Sequence, residues 1–297
     1  MTDAEGRCVK ITLADQRGFC FGVRRAIDLA TETARQGGPA YSLGPLIHNP
    51  QEIARLSGLG IRVADRLDEI PGGTVIIRSH GVAPAVIEGA RARGLTVVDA
   101  TCPLVTNAQR RAREMVEAGF RVFVVGDADH PEVQALLAHA PGATVIGPDS
   151  TAGFPSRRDG AARRPRIGVV AQTTQSPAAF RRVLARLIEA DFSELRVANT
   201  ICAATVDREA NAERLAREVD AMFVLGGRNS ANTKRLAETC RAAGAVTHHL
   251  ETADELDPAW LEGCEHAGVT AGASTPDWII EAFLTALRRA AGLEENG

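Results

Sequence analysis

The chain has 297 residues, 45% hydrophobic and 24% charged, the composition of a globular protein; disordered and fibrous classes are excluded, and the length suits two or three domains. Its 34 Lys and Arg against 37 Asp and Glu leave a net charge of −3, so no basic footprint for nucleic acid exists. Met1 to Lys10 is polar and no apolar run reaches the length of a membrane span, which predicts a cytoplasmic protein without a membrane segment.

In chain order, Gly18-Phe19-Cys20 forms a turn-like segment ahead of a helical stretch, and the apolar run Tyr41-Ser42-Leu43 then ends at Gly44. His48 and Pro50 stand in the polar loop that follows. A second run, Val75-Ile76-Ile77, leads to Arg78-Ser79-His80-Gly81. Ala100-Thr101-Cys102-Pro103 opens a second round: apolar spacing of three and four predicts a helix over Asn107 to Ala118, then a strand Val122 to Val125 ending at Gly126, then a loop with His130 and Glu132. Gly147 to Arg166, rich in Gly, Pro and Arg, reads as a surface insertion before the strand Ile167 to Val170 and the loop Gln172-Thr173-Thr174. The third round repeats the order: Thr200-Ile201-Cys202, a helix over Asp207 to Val219, a strand Met222 to Leu225 ending at Gly226, a loop with Ser230 and Asn232, and Val269-Thr270 leading to Ala271-Gly272-Ala273-Ser274.

Aligned on Cys20, Cys102 and Cys202, the three frames agree without gaps: 24 residues on stand Gly44, Gly126 and Gly226, and 28 residues on stand His48, His130 and Ser230. Strands alternating with helices in three long repeats predict an α/β fold. Three pseudo-threefold-related domains with mainly parallel sheets are expected over residues 1–102, 103–198 and 199–297. Their functional loops lie at the carboxyl ends of the strands, with the cysteines directed at a central site.

Three cysteines from three repeats fit poorly with a closed structural zinc site, which takes four ligands in tight pairs such as C-x2-C. A cubane iron–sulfur cluster normally takes four thiolates, so three leave one iron open to act as a Lewis acid. Any one of these cysteines alone reads as a buried thiol, and that reading stands for Cys8, Cys240 and Cys264. Zinc with His130 as a fourth ligand is the competing metal reading. His48, His80, His130, Ser230, Asn232 and Ser274 form a set of neutral-to-cationic donors suited to a phosphate or diphosphate, while neither a P-loop nor a G-x-G-x-x-G is present. Glu132 is the one acid at an aligned loop position and reads as a proton donor, or else as a first-turn glutamate on a helix dipole. Thr173 and Thr174 read locally as helix caps.

The segments Arg17 to Val23, Ile47 to Pro50, Ser79 to Val82, Asp99 to Val105, His130 to Val133, Gln172 to Thr174, Thr200 to Cys202 and Ala271 to Ser274 together resemble the 4-hydroxy-3-methylbut-2-enyl diphosphate reductase family, over about residues 10 to 285. The resemblance implies the last step of the non-mevalonate isoprenoid pathway, a two-electron, two-proton reductive dehydroxylation giving isopentenyl and dimethylallyl diphosphate. It implies a [4Fe-4S] cluster held by Cys20, Cys102 and Cys202. His48, His80, Ser230, Asn232 and Ser274 would hold the substrate diphosphate, and Glu132 would deliver protons through a network with His130 and Thr173. A ferredoxin or flavodoxin is the implied electron donor. Ala135, Ala231 and Glu209 stand where that family's pattern has glycine, serine and glutamine. Those departures leave two alternatives: a divergent paralogue acting on another small allylic or phosphorylated substrate, and a non-catalytic iron–sulfur sensor.

Overall fold

The computed structural model describes residues 9–147, 150, 154–155 and 164–293; Cys8 and most of the expected 147–166 insertion lie outside the described residues. In chain order the strands are β1 (Lys10–Leu13), β2 (Ala40–Leu43), β3 (Ile61–Ala64), β4 (Thr74–Ile77), β5 (Thr96–Asp99), β6 (Arg121–Val125), β7 (Thr144–Ile146), β8 (Arg166–Ala171), β9 (Glu194–Val197), β10 (Ala221–Leu225), β11 (Val246–Leu250) and β12 (His266–Ala271). The helices are α1 (Phe21–Gln36), α2 (Pro50–Gly58), α3 (Pro84–Ala92), α4 (Pro103–Glu117), α5 (Pro131–His139), α6 (Pro177–Ile188), α7 (Ala203–Ala216), α8 (Ala231–Ala242) and α9 (Asp277–Ala290). The helices expected from Asn107 and Asp207 start four residues earlier. Cys102 has an extended conformation at the cap of α4, and the proline after it has its φ preset for the first helical position.

The chain forms two compact units, one holding the chain up to Val23, His48–Ile53 and Ala204 onward, the other Arg24–Ile47 and Ala54–Ala203. The first unit contains a sheet of order β1-β12-β10-β11, and the second contains sheets β3-β2-β4-β5 and β7-β6-β8-β9. Every pairing is parallel, as the alternation of strand and helix requires, because parallel neighbours need a crossover rather than a hairpin.

Written from the cysteine side, the three sheets have one topology: β1-β12-β10-β11, β5-β4-β2-β3 and β9-β8-β6-β7. The amino-terminal strand thus supplies the edge of the last sheet, in register with Lys10 against His266 and Leu13 against Val269. A parallel sheet covered on both faces needs strands that are apolar throughout. In β10, Phe223 and Leu225 enter one core with Val269 and Phe283, while Met222 and Val224 enter another with Leu215 and Leu236. In β6, Phe123 and Val125 pack with Phe180 and Leu187, and Val122 and Val124 pack with Met115 and Leu136. Each such side chain contributes on the order of 1.5–3 kcal/mol by leaving water.

Candidate functional site

Each repeat cysteine leaves the edge strand of its sheet and is followed at once by a helix: Cys20 by α1, Cys102 by α4 and Cys202 by α7. Each is tied to the neighbouring strand's exit loop by the same backbone bond. The Cys20 N–H donates to the Ala273 carbonyl at 3.2 Å, Cys102 to Ser79 at 2.9 Å and Cys202 to Thr173 at 2.8 Å. All three are partly exposed, whereas Cys240 and Cys264 are buried, and none of these five is in a disulfide. Burial pushes the Cys240 thiol up to about 12 and raises that of Cys264, so both are inert packing groups.

The glycines of the repeat have an equally uniform role. Gly44, Gly126 and Gly226 end the central strands, and their N–H groups donate to Ala64, Ile146 and Leu250 at the ends of the outer edge strands, at 2.7, 3.3 and 2.9 Å. A Cβ on Gly126 would lie 2.9 Å from Val133 and 3.0 Å from Gln172 Oε1; one on Gly226, at φ +143°, would lie 2.7 Å from Thr275 Oγ1. The turn has no room for a side chain.

The second unit joins six of the expected residues in one run of contacts. Thr173, whose carbonyl accepts from Cys202, donates its N–H to Glu132 Oε1 at 2.6 Å and its hydroxyl to Oε2 at 2.8 Å. The Glu132 N–H donates to His130 Nδ1 at 3.1 Å, which caps α5 and leaves Nε2 as the protonated nitrogen of the neutral ring. The His130 ring meets His80 edge to face, with centroids 5.3 Å apart. Ser79, next in sequence to His80, accepts the bond from Cys102. Glu132 is 1% exposed, and its removal from water raises its pKa above the ordinary value against the lowering effect of the two Thr173 bonds. A buried carboxyl that holds its proton to higher pH than an exposed one is equipped to donate it, and the Oε2 to Oγ1 contact lets Thr173 relay it.

The first unit gathers hydroxyls. The Ser274 hydroxyl donates to the His48 carbonyl at 3.0 Å, and the same carbonyl would lie 3.0 Å from a Cβ on Gly227, so His48 is held against both loops. Ser230 caps α8 by accepting the Thr233 N–H at 3.3 Å, and Asn232 occupies the second position of that helix, partly exposed. Glu209, the extra acid of the sequence, is paired with Arg235 on α8 at 2.5 Å, so its charge is compensated within the fold. Ala231 is exposed at the helix start and Ala135 is buried on α5.

Several supporting groups carry no local sequence signal. His139 Nε2 meets the Val82 carbonyl at 3.2 Å and ties α5 to the His80 loop. Gln172 accepts the Asp127 N–H and donates to Thr174, both at 3.1 Å, closing the loop that carries Thr173. Glu52, almost wholly buried, accepts the Trp278 indole N–H at 3.1 Å while its own N–H donates to the Asn49 cap. Only the regular recurrence of polar loops after strands points toward these positions.

Three parallel sheets of one topology, each with a thiol at the exit of its edge strand and polar side chains at its carboxyl-end loops, define a class of repeated α/β proteins that carry their functional groups in those loops. Residues 11–288 match the family described as LytB protein, and the chain belongs to that family. The 4-hydroxy-3-methylbut-2-enyl diphosphate reductase of Geobacter sulfurreducens is 50% identical over 92% of this chain and 95% of its own. That of Geobacter metallireducens is 49% identical over 94% and 97%. Among solved structures, (E)-4-hydroxy-3-methyl-but-2-enyl diphosphate reductase, the terminal enzyme of the non-mevalonate pathway, is 41% identical, covers 95% of this chain and 99% of its own, and superposes with a TM-score of 0.72. The Plasmodium falciparum reductase, 24% identical, superposes with a TM-score of 0.84 and bears on the fold alone.

Proposed function

We infer that this chain is an oxidoreductase that removes the hydroxyl of 4-hydroxy-3-methylbut-2-enyl diphosphate, using two electrons and two protons to form water and isopentenyl or dimethylallyl diphosphate. Membership of the family over residues 11–288 supports the reaction, and the buried Glu132 held by Thr173 is the observation that carries its chemistry. A sensor that only reports oxidation has no use for a desolvated acid at a carboxyl-end loop, whereas a reaction that needs a proton donor does.

Cys20, Cys102 and Cys202 fit an iron–sulfur cluster: among the described cysteines they are the partly exposed ones, and they occupy one topological station in each sheet. A [4Fe-4S] cluster on these three would supply the electrons and a Lewis-acidic iron. The chain's own groups do the rest. Glu132 in its neutral form donates a proton from its carboxyl to the leaving hydroxyl; the Thr173 N–H and Oγ1 hold that carboxyl in place, and His130, which fixes the Glu132 backbone through Nδ1, completes the proton network. His48, His80, Ser230, Asn232 and Ser274 hold the diphosphate through neutral or cationic donors. Buried Glu132 also keeps bulk water from the proton path.

We assign the repeats to residues 1–102, 103–198 and 199–297, a ferredoxin or flavodoxin as electron donor and the cytoplasm as the site of action. No described helix is long and apolar enough to cross a membrane. Anaerobic purification with iron and sulfide analysis, followed by dithionite-driven turnover of the allylic diphosphate, tests both site and reaction. About four irons per chain with both C5 diphosphates is expected. Zinc without iron overturns the cluster; iron without turnover overturns the reaction.

A further inference from the structure

Arg78 is the residue immediately after β4, and its counterpart immediately after β8 is Gln172. Gln172 uses both ends of its amide, accepting the Asp127 N–H in the loop after β6 and donating to Thr174 in its own loop. Arg78 is spent on nothing: among the described residues its guanidinium has no carboxylate partner, and Nε is buried without a hydrogen bond. Burial pushes the guanidinium below its ordinary value, and no facing acid offsets this. Its charge persists nonetheless, because a guanidinium is not deprotonated at neutral pH. A half-buried cation whose Nε is buried and unpaired calls for an explanation.

Its surroundings supply one. Arg78 lines a cleft of about 470 Å³ within the second unit, in the size range of small-molecule sites. Leu43, Val82, Val86 and Ala138 form apolar walls, and the start of α3 is capped by Ala83, whose side chain makes no cap bond. Asp65 also lines the cleft but makes no ion pair with Arg78. Gly44, at φ +73°, gives the guanidinium its place: a Cβ there would come within 2.9 Å of Nη1. The cleft therefore offers one uncommitted cation at the end of an apolar wall.

We propose that this cleft is a second ligand site, separate from the diphosphate donors, that takes a phosphate monoester carried on a short apolar body. The guanidinium pairs with the phosphate oxygens, the Ala85 N–H in the first turn of α3 adds a donor beside Pro84 and the already bonded Val86 N–H, and the hydrocarbon lies against Leu43, Val82 and Val86. The inference does not depend on the reaction assigned above, since it rests on Arg78 and the cleft alone.

Anaerobic calorimetric titration of the intact protein with n-pentyl phosphate tests it, with pentanol and pentanoate as controls. Saturable binding of pentyl phosphate is expected, at least about tenfold weaker in Arg78→Gln, from loss of a hydrogen bond to charge. Ala138→Glu, at an exposed helical position, places a carboxylate in the cleft and should abolish binding even if Arg78→Gln folds poorly. Ser230→Ala should leave this binding unchanged. Equal binding in the wild type and Ala138→Glu overturns the site, and pentanoate binding as tightly as the phosphate overturns the ligand class.

Discussion

The loop that carries Glu132 and the loop that carries Ser230 follow the central strands of two sheets with one topology, yet they are equipped for opposite tasks. Both begin a helix with a side-chain cap: His130 Nδ1 accepts the Glu132 N–H, and Ser230 Oγ accepts the Thr233 N–H. Two residues past the cap the first has a carboxyl removed from water, the second an amide that is partly exposed. Desolvation disfavours charge, so the buried acid holds its proton to higher pH, whereas hydroxyl and amide donors need no such tuning to meet an anion. A repeat can thus hold its backbone constant and change its chemistry by one side chain and that side chain's burial.

The largest break in this comparison comes from the thiols beside the loops. Cys202→Ser should lose the bound iron and all turnover, while its backbone bond to Thr173 survives and near-native circular dichroism is retained. Glu132→Gln should keep iron and diphosphate binding and lower turnover by about 10²–10⁴-fold, read in single-turnover assays. Its stability effect has a definite sign. The folded chain keeps the Glu132 proton at a pH where the unfolded chain, near the ordinary glutamate value of 4.5, has released it. The group's contribution is therefore complete below that value and drains away as pH rises toward the folded value, so Glu132→Gln should gain on the wild type in chemical denaturation as pH increases from about 4.5.

Gly226→Ala breaks the other loop. The strained φ and the 2.7 Å approach to Thr275 should together cost about 1–3 kcal/mol in a denaturant midpoint analysis. Ser230→Ala removes a helix cap, with a loss of about 1 kcal/mol and a raised KM at similar kcat. Thr173→Val sharpens the comparison most finely. It deletes a bond that lowers the Glu132 pKa, so the alkaline limb of the pH–rate profile should move to higher pH, with a stability loss of about 1 kcal/mol.

Much of this architecture is legible in one dimension. The strands read as Val75 to Ile77, Val122 to Val125 and Met222 to Leu225 lie within β4, β6 and β10, because strands buried on both faces must be continuous apolar runs. The split between Cys20, Cys102 and Cys202 and the packing thiols Cys240 and Cys264 was visible in repeat position alone, and burial follows that split. Helices α4 and α7 begin a turn ahead of their clearest apolar periodicity, which starts inside a helix, while the cap that opens it is a local backbone event.

The linear order of residues determined the repeat, the stations of its polar loops and the residue types that carry chemistry, because periodicity and turn residues act over a few positions. Only the tertiary structure decided which strands pair, and so that β1 closes the last sheet and gives Cys20 the same carbonyl bond as its two counterparts. It also decided that Glu132 is buried against Thr173, that Glu209 is neutralised by Arg235 and that Arg78 Nε has no hydrogen-bond partner among the described residues. Parallel pairing, burial and charge compensation are settled between residues tens to hundreds apart in the chain, where no local pattern records them.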